Sequence, residues 1–155
     1  MRNFLIILAA GGSAAMLLGA LGFQYIGEMA PCKMCYWQRY PHGAAMGIGV
    51  LALILGGSLL PWLGALAALT TAGIGIYHTG VERGFWEGPT TCTSGPIENL
   101  TPDQLMDQIM SAPLVRCDEV PWELFTLSMA SWNAIVSIGL AALWIAAANH
   151  ARKGR

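Results

Sequence analysis

Four long apolar stretches, separated by shorter polar segments, constrain this chain more than any other feature. They cover about residues 4–26, 43–60, 62–81 and 124–148. As a helix rising about 1.5 Å per residue, the first extends roughly 34 Å, enough to cross the hydrocarbon core of a bilayer. It is also longer than the apolar part of a signal peptide, about 7–15 residues, so we expect a retained helix. The sequence predicts an all-α membrane protein, a four-helix transmembrane bundle.

The composition agrees with a chain that lies mostly within the membrane. Apolar residues make up 55% of the 155 residues and charged residues only 11%, whereas about 25% are charged in a typical soluble domain. We therefore expect a single integral membrane domain over residues 1–155. No basic patch indicates nucleic acid binding.

The second and third spans are expected to form a tight hairpin. Pro61 separates them, and no charged residue lies near this turn. Gly43 and Gly47 begin the second span with two small residues four positions apart. This spacing predicts close packing against a neighbouring helix.

Basic residues gather at the chain termini and acidic residues gather in one loop. Residues 82–123 hold eight acidic and two basic residues. The charged residues at the termini are all basic: Arg2, Arg152, Lys153 and Arg155. Because basic segments stay on the cytoplasmic side of a membrane, we expect both termini there. The two loops, about residues 27–42 and 82–123, then share the opposite face.

The long acidic loop contains one predicted short amphipathic helix. Thr101 and Gln104 form a capping box, with Pro102 at the first helical position. The apolar side chains that share one face are Leu105, Met106, Ile109 and Met110. This face either packs over a small core of the loop or lies in the membrane interface, and the acidic polar face is unusual for an interfacial helix.

The four cysteines, Cys32, Cys35, Cys92 and Cys117, all lie outside the apolar stretches. Their even number on an oxidising face indicates two disulfides, for which the sequence allows three pairings. The Cys-x-x-Cys spacing of Cys32 and Cys35 closes too small a loop to stabilise a fold strongly. It is typical of thiol exchange. Because the second pair lacks the short spacing of zinc sites, we expect no metal.

The residues around Cys35 favour a reactive thiol. The pair lies where the second helix begins, and a helix N-terminus stabilises a thiolate. Arg39 lies four residues after Cys35, on the same helical face, where its charge could stabilise the thiolate or polarise an electron acceptor. Since Pro41 is best accommodated in a first helical turn, regular helix is expected at or after Arg39.

Other polar and aromatic residues of the spans have simpler expected roles. His78, near the outer end of the third span, is either a packing residue or a neighbour of a bound cofactor. Trp122 and Trp144 are placed as interfacial anchors at the two ends of the fourth span. Hydrogen bonds between helices are expected from three polar residues of this last stretch, Ser128, Ser131 and Asn133.

The pattern Pro-Cys-x-x-Cys-x-x-Gln-Arg at residues 31–39 closely resembles the signature of the disulfide bond formation protein B (DsbB) family. The number of spans, the short first outer loop and the widely spaced cysteine pair in the second loop are also similar. Further similar segments are Tyr77-His78, Gly88-Pro89 and Ser128-Met129-Ala130. Met34 departs from the pattern, since the family often has Leu there.

The resemblance implies a protein-disulfide:quinone oxidoreductase of the bacterial inner membrane. Such a protein reoxidises a periplasmic DsbA-like thiol oxidase and passes the electrons to membrane quinone, either ubiquinone or menaquinone. The implied disulfides are Cys32–Cys35 and Cys92–Cys117. By the same resemblance, DsbA attacks Cys92, Cys117 attacks Cys32, Cys35 faces the quinone and Arg39 holds the quinone head group.

Two other classes of protein remain as alternatives. A vitamin K epoxide reductase-like oxidoreductase also combines a helical bundle, a Cys-x-x-Cys pair and a quinone, but its pair is expected late in the chain. A non-enzymatic membrane scaffold with two structural disulfides would resist mild reductant and would not reduce quinone.

Overall fold

The computed structural model describes residues 1–93, 101–111 and 115–153. This part of the chain contains five helices: α1 (Arg2–Tyr25), α2 (Lys33–Leu55), α3 (Leu59–Glu82), α4 (Pro102–Ser111) and α5 (Met129–Lys153). It also contains a two-stranded antiparallel sheet, in which β1 (Glu123–Leu124) pairs with β2 (Leu127–Ser128).

The four long helices form one bundle. Helix α5 packs on α1 and α3, and α2 packs on the same two helices from the other side. Among the described residues, three helices are long and apolar enough to cross a membrane: Arg2–Tyr25, Leu59–Glu82 and Met129–Arg152. The prediction of a mainly helical membrane protein is therefore confirmed.

Helix α2 begins earlier than Pro41 led us to expect. Cys32 is its N-cap, and its Sγ accepts a hydrogen bond from the backbone N–H of Cys35 at 3.3 Å. Helix begins at Lys33 and continues through Pro41, so the expected start at or after Arg39 is wrong. One intrahelical bond is missing at Pro41, because proline has no N–H, yet the helix continues through it. The motif is therefore helical from Lys33 to Arg39, with Cys32 as its cap.

Two glycines make the turn between α2 and α3. Gly56 and Gly57 have φ angles of +74° and +76°, which glycine adopts at little cost. Helix α3 starts at Leu59, so Pro61 lies in its first turn, where its missing N–H breaks no intrahelical bond. The turn is further held by the Arg2 guanidinium, which donates to the carbonyl oxygen of Gly57 at 3.2 Å.

Helix α5 begins at Met129 because the preceding residues form a hairpin. Phe125 and Thr126, between the two strands, have φ angles of +54° and +63°. A helix cannot run through this left-handed turn. The fourth apolar stretch, predicted from residue 124, thus contains a short sheet before its helix.

The core of the bundle contains Trp144, which is completely buried. An added Cβ at Gly64 of α3 would lie 2.5 Å from the Trp144 indole, so this glycine lets α3 and α5 approach closely. The prediction that Trp144 is an interfacial anchor is wrong. Trp122 packs its ring against Phe23, with 5.2 Å between centroids, and its role as an interfacial anchor stays a prediction.

The close packing expected at Gly43 and Gly47 is found at a different glycine. In the described part of the chain, no atom would lie within 4 Å of a Cβ added at Gly43 or Gly47. A Cβ added at Gly49 would lie 2.5 Å from that of Ala10 on α1. The contact between α1 and α2 therefore depends on Gly49.

The capping box of α4 is confirmed. The Thr101 N–H donates to Oε1 of Gln104 at 3.0 Å, and the Gln104 N–H donates to Oγ1 of Thr101 at 3.4 Å. The apolar side chains of the helix are exposed: Leu105, Met106, Ile109 and Met110. They cover no core formed by the described residues of the loop, which argues against the first of the two interpretations.

Candidate functional site

The two cysteine pairs differ in their state in this structure. Cys92 and Cys117 form a disulfide, with their Cα atoms 5.4 Å apart. The Cys117 N–H also donates to the carbonyl oxygen of Cys92 at 2.7 Å. Cys32 and Cys35 are free thiols whose sulfur atoms lie 2.8 Å apart. Their disulfide, implied by the resemblance, is not formed here and stays a prediction.

The structure brings the two pairs into one buried cluster. Cys32, Cys92 and Cys117 are at most 5% exposed and pack together with Met34 and Val81. Cys35 is only partly buried and lies at the edge of the cluster. Cys32 is thus buried together with Cys92 and Cys117, and Cys35 is the more accessible sulfur of the Cys-x-x-Cys segment.

The environment separates the acidities of the two thiols. In the first turn of α2, a hydrogen bond from the Cys32 thiol lowers the pKa of Cys35, and the Arg39 charge lowers it further. The same hydrogen bond, together with burial, raises the pKa of Cys32. Hydrogen bonding to a charged form stabilises it. Cys35 is therefore the sulfur that carries the negative charge when one thiol of the pair ionises.

His78 lies beside Cys32, and Gln38 fixes its ring. Nε2 of Gln38 donates to the Met34 carbonyl oxygen at 3.2 Å and to Nδ1 of His78 at 2.9 Å. A carbonyl oxygen only accepts hydrogen bonds, so the Gln38 amide orientation is settled and Nδ1 of His78 is the acceptor. The proton of the neutral ring is on Nε2, which lies 3.6 Å from Sγ of Cys32.

The atoms of Cys32, Cys35 and His78 that could bind a metal all lie within 4.8 Å of one another. Coordination by Nε2 of His78 would require that nitrogen to lose its proton. The Gln38 hydrogen bond to Nδ1 keeps the proton on Nε2 instead. This arrangement favours a hydrogen bond to a sulfur atom over metal coordination.

Arg39 connects α2 to α1. Its Nη1 donates to Oε1 of Gln24 at 2.6 Å, and its Nη2 donates to the carbonyl oxygen of Ala20 at 3.3 Å. Its guanidinium carbon also lies 5.1 Å from the centre of the Tyr36 ring. The guanidinium is therefore held in one place. Among residues 1–93, 101–111 and 115–153 its remaining N–H groups have no hydrogen-bond partner, so they can bind a ligand.

A cavity of about 520 Å³ lies next to these residues. Its walls come from all four long helices and from residues 115–122, and they are mostly apolar, with Phe23, Met129 and Trp132 among them. Its polar and sulfur-containing lining residues include Cys32, Cys35, Gln38, Arg39, His42 and His78. An apolar cavity of this size with a few polar groups is typical of a site for a small organic molecule.

The expected hydrogen bonds between helices are present. Asn133 bonds to His42 and Thr71, and Oγ of Ser131 lies 3.1 Å from Oγ1 of Thr79. The Ser128 hydroxyl, in β2, donates to the Glu82 carboxylate of α3. Ser128, Ser131 and Asn133 therefore all bond across to another part of the bundle, as predicted.

Three residues of the site were not predicted from the sequence: Gln24, His42 and Glu82. His42 lies seven residues after Cys35 on one face of α2, a spacing that could have revealed it. The Glu82 side chain is 2% exposed, with Oε1 3.8 Å from Nε2 of His78. No local pattern signals Gln24, because its partner Arg39 belongs to another helix.

Comparison with known proteins identifies the family. The family model described as "Disulfide bond formation protein DsbB" matches residues 2–147. A disulfide bond formation protein B of Dechloromonas aromatica is 30% identical, over 83% of this chain and 86% of its own length. The same-named protein of Vibrio cholerae is 30% identical, over 77% of this chain and 72% of its own length.

A third such protein, from Psychrobacter, is 26% identical over 92% of this chain and 90% of its own length. No solved structure matches the chain significantly. Since the family model covers nearly the whole chain and the redox cysteines are in place, the chain belongs to the DsbB family of disulfide bond formation proteins.

Proposed function

We propose that this protein-disulfide oxidoreductase reoxidises a periplasmic DsbA-like thiol oxidase through Cys92 and Cys117 and passes the electrons to membrane quinone through Cys32 and Cys35. One observation carries the proposal. Both cysteine pairs lie in one buried cluster, and the more accessible sulfur, Cys35, lines a large apolar cavity together with Arg39.

The proposed electron path is a series of thiol–disulfide exchanges. A thiolate of the reduced oxidase attacks Sγ of Cys92, which forms a mixed disulfide, breaks the Cys92–Cys117 bond and releases the Cys117 thiolate. The Cys117 thiolate then attacks Sγ of Cys32, which forms a Cys117–Cys32 bond, breaks the Cys32–Cys35 bond and releases the Cys35 thiolate. The second thiol of the oxidase breaks the mixed disulfide and the oxidised oxidase leaves. The freed Cys92 thiolate attacks Cys117, which restores the Cys92–Cys117 bond and leaves Cys32 and Cys35 as a dithiol.

A thiol of lower pKa is the better leaving group. Cys32 has no thiol hydrogen to donate at this step, but the Arg39 charge still lowers the pKa of Cys35. His78 can donate its Nε2–H to Cys32 during the exchange.

The donor set and the cavity fit a quinone. The mostly apolar walls suit its ring and tail, while the free N–H groups of Arg39 suit an oxygen that gains negative charge on reduction. Arg39 would hold the head group, in a cavity that Cys35, Gln38 and His78 also line. A bound quinone supplies an acceptor for two electrons and two protons, which the dithiol gives up as it closes to a disulfide.

A quinone also supplies the driving force that cysteines alone lack. A DsbA-type dithiol has a reduction potential of about −120 mV, so it is hard to oxidise. For a two-electron couple, about 30 mV corresponds to 1.4 kcal/mol. A disulfide of ordinary, more negative potential would therefore not reoxidise it. Coupling to a lipid-soluble oxidant explains why the dithiol is built at the end of a membrane bundle.

We further propose that all four long helices cross the bacterial inner membrane, as one domain with both termini in the cytoplasm. Helix α2 packs on both α1 and α3, which supports its role as a membrane span in addition to α1, α3 and α5. Its polar first turns, with Gln38 and Arg39, would then lie at the periplasmic rim beside the second loop. The exposed apolar face of α4 suits the membrane interface on the same side.

The test uses purified protein, a reduced DsbA-type oxidase and a short-chain ubiquinone, with quinone absorbance as the signal. Wild-type protein should reduce the quinone, and replacing any one of the four cysteines with Ala should abolish the reaction. Non-reducing peptide mapping should show Cys32–Cys35 and Cys92–Cys117 as the resting bridges. Resistance of both pairs to mild reductant, without quinone reduction, would support a structural role instead.

A further inference from the structure

A buried hydrogen-bond network joins three helices at the cavity. Nε2 of His42, on α2, lies 2.9 Å from Oδ1 of Asn133, on α5. Nδ2 of Asn133 lies 3.1 Å from Oγ1 and 3.4 Å from the carbonyl oxygen of Thr71, on α3. Both His42 and Asn133 line the cavity, and they are 3% and 6% exposed.

The network has only one consistent direction. The Thr71 hydroxyl donates to the carbonyl oxygen of Gln38 at 3.0 Å, so Oγ1 is free to accept from Asn133. The Thr71 carbonyl oxygen can only accept, which places the amide nitrogen of Asn133 toward Thr71 and its oxygen toward His42. Nε2 of His42 must therefore carry the proton that bonds to Asn133.

This direction leaves Nδ1 of His42 as a bare acceptor. A neutral imidazole has one donor nitrogen and one acceptor nitrogen, and Nε2 is the donor here. Nδ1 is buried, and no hydrogen-bond partner for it exists in the described part of the chain. Buried polar atoms normally have a partner, so the missing one is a donor that the described residues do not supply.

We propose that Nδ1 of His42 accepts a hydrogen bond from a hydroxyl group of the reduced quinone, so that this residue distinguishes the hydroquinone from the quinone. The inference rests on the proposed function. It deepens that function by assigning a residue that recognises the redox state of the ligand.

The chemistry of the two ligand forms supports the assignment. A quinone has two carbonyl oxygens, which only accept hydrogen bonds, whereas a hydroquinone has two hydroxyl groups, which can donate. His42 lies three residues after Arg39, one helical turn deeper on α2. Arg39, a pure donor, suits the oxygen of either form, and a bare imidazole nitrogen suits only a hydroxyl. His42 already lines the cavity in which the ligand would bind.

The inference predicts a selective effect of His42→Phe, which keeps a planar ring but removes both nitrogens. A neutral hydrogen bond contributes about 0.5–1.5 kcal/mol, so hydroquinone binding should weaken about two- to tenfold. Quinone binding should stay within twofold of wild type. The matched control is His150→Phe, because His150 is an exposed histidine at the end of α5, and it should change neither affinity.

Nitrogen NMR on the wild-type protein, with ¹⁵N-labelled histidine, tests the same inference without any substitution. The chain has three histidines, so the His42 signals can be assigned by comparison with the variant. Without ligand, Nε2 of His42 should have the shift of a protonated nitrogen and Nδ1 that of an unprotonated one. Ubiquinol-1 should move the Nδ1 signal, whereas ubiquinone-1 should leave it in place.

The outcomes separate this inference from the proposed function. If wild-type protein neither reduces ubiquinone-1 nor binds either form, both are overturned together. If it reduces the quinone but ubiquinol-1 leaves Nδ1 unchanged, only the role of His42 is overturned. The same holds if the free protein shows a protonated Nδ1, or if His42→Phe weakens both ligand forms equally, since that would indicate packing alone.

Discussion

Nη1 of Arg39 donates a hydrogen bond to Oε1 of Gln24 at 2.6 Å, across the contact between α2 and α1. The second arm of the same guanidinium donates to the carbonyl oxygen of Ala20 at 3.3 Å. Two fixed arms leave little freedom for the group, so its charge stays near Cys35 and the cavity. Helix α1 therefore has a part in the candidate site although it contributes no cysteine.

Replacing Arg39 should weaken quinone binding while leaving the first exchange at Cys92 intact. A charge-assisted hydrogen bond contributes about 1.5–3 kcal/mol, so Arg39→Gln should raise the KM for quinone about ten- to hundredfold. Arg39→Lys keeps the charge but loses the planar fork, so its KM for quinone should lie between those of wild type and Arg39→Gln. Steady-state quinone reduction gives these values. Wild-type turnover in both variants would show that Arg39 is only an interfacial anchor.

Gln24 should act on quinone through Arg39, as a positioning residue. Gln24→Leu removes the 2.6 Å hydrogen bond and releases one arm of the guanidinium. We expect the KM for quinone to rise about two- to tenfold, from the loss of about 0.5–1.5 kcal/mol. In the Arg39→Gln background, Gln24→Leu should have no further effect. Additive effects in the double variant would contradict the positioning role.

Sequence patterns predicted the parts of the fold that depend on residues close together in the chain. Apolar stretches long enough for a bilayer became helices, and the capping box at Thr101 and Gln104 formed as expected. The spacing of the Cys-x-x-Cys segment was enough to indicate where the candidate site lies. One local rule that failed concerns Pro41, because the Cys32 cap and the surrounding helices hold α2 together on both sides of it.

What could not be predicted depends on which helices become neighbours. Trp144 looked like an interfacial anchor by position, yet Gly64 on another helix opens the space that buries it. Likewise, Gln24 and His42 have no local signal that names Arg39 and Asn133 as their partners. Such pairs are fixed by the packing of the whole bundle, and hydrophobic periodicity carries no information about them.

The two thiols of the reduced protein should ionise at different pH values. Because the pKa of Cys35 is lowered and that of Cys32 is raised, Cys35 should ionise below the usual thiol pKa of about 8.5 and Cys32 above it. Alkylation by iodoacetamide across pH, followed by peptide mass spectrometry, gives both midpoints. The measurement is made in a variant with alanine at Cys92 and Cys117.

Cys32→Ala is the decisive comparison for this pH dependence. It removes the hydrogen bond that is the main cause of the lowered pKa of Cys35, so the Cys35 midpoint should move to higher pH. Cys32→Ser keeps a hydroxyl donor and should move it less. A midpoint that stays the same in Cys32→Ala would mean that Arg39, not Cys32, controls the acidity of Cys35.

Gly64→Ala should destabilise the bundle. Its Cβ would lie 2.5 Å from the Trp144 indole, and overpacking of this kind costs about 1–3 kcal/mol. Thermal unfolding in detergent, followed by circular dichroism, should show a lower midpoint. Gly43→Ala, with no atom within 4 Å of the added Cβ among the described residues, is the matched control and should leave the midpoint unchanged or higher. Equal midpoints in the two variants would contradict the packing at Trp144.

Both termini should lie in the cytoplasm and the cysteine-containing loops in the periplasm. The basic residues at the two ends, against a second loop with eight acidic and two basic residues, favour this orientation. A C-terminal alkaline phosphatase fusion should be inactive, and a C-terminal green fluorescent protein should fluoresce.

After reduction, a membrane-impermeant maleimide should label Cys35, the more accessible thiol, from the periplasmic side. Replacing Arg152, Lys153 and Arg155 with Gln should weaken the orientation bias and give a mixed fusion signal. Labelling of Cys35 from the cytoplasmic side alone would overturn the topology, and the exchange with a periplasmic oxidase along with it.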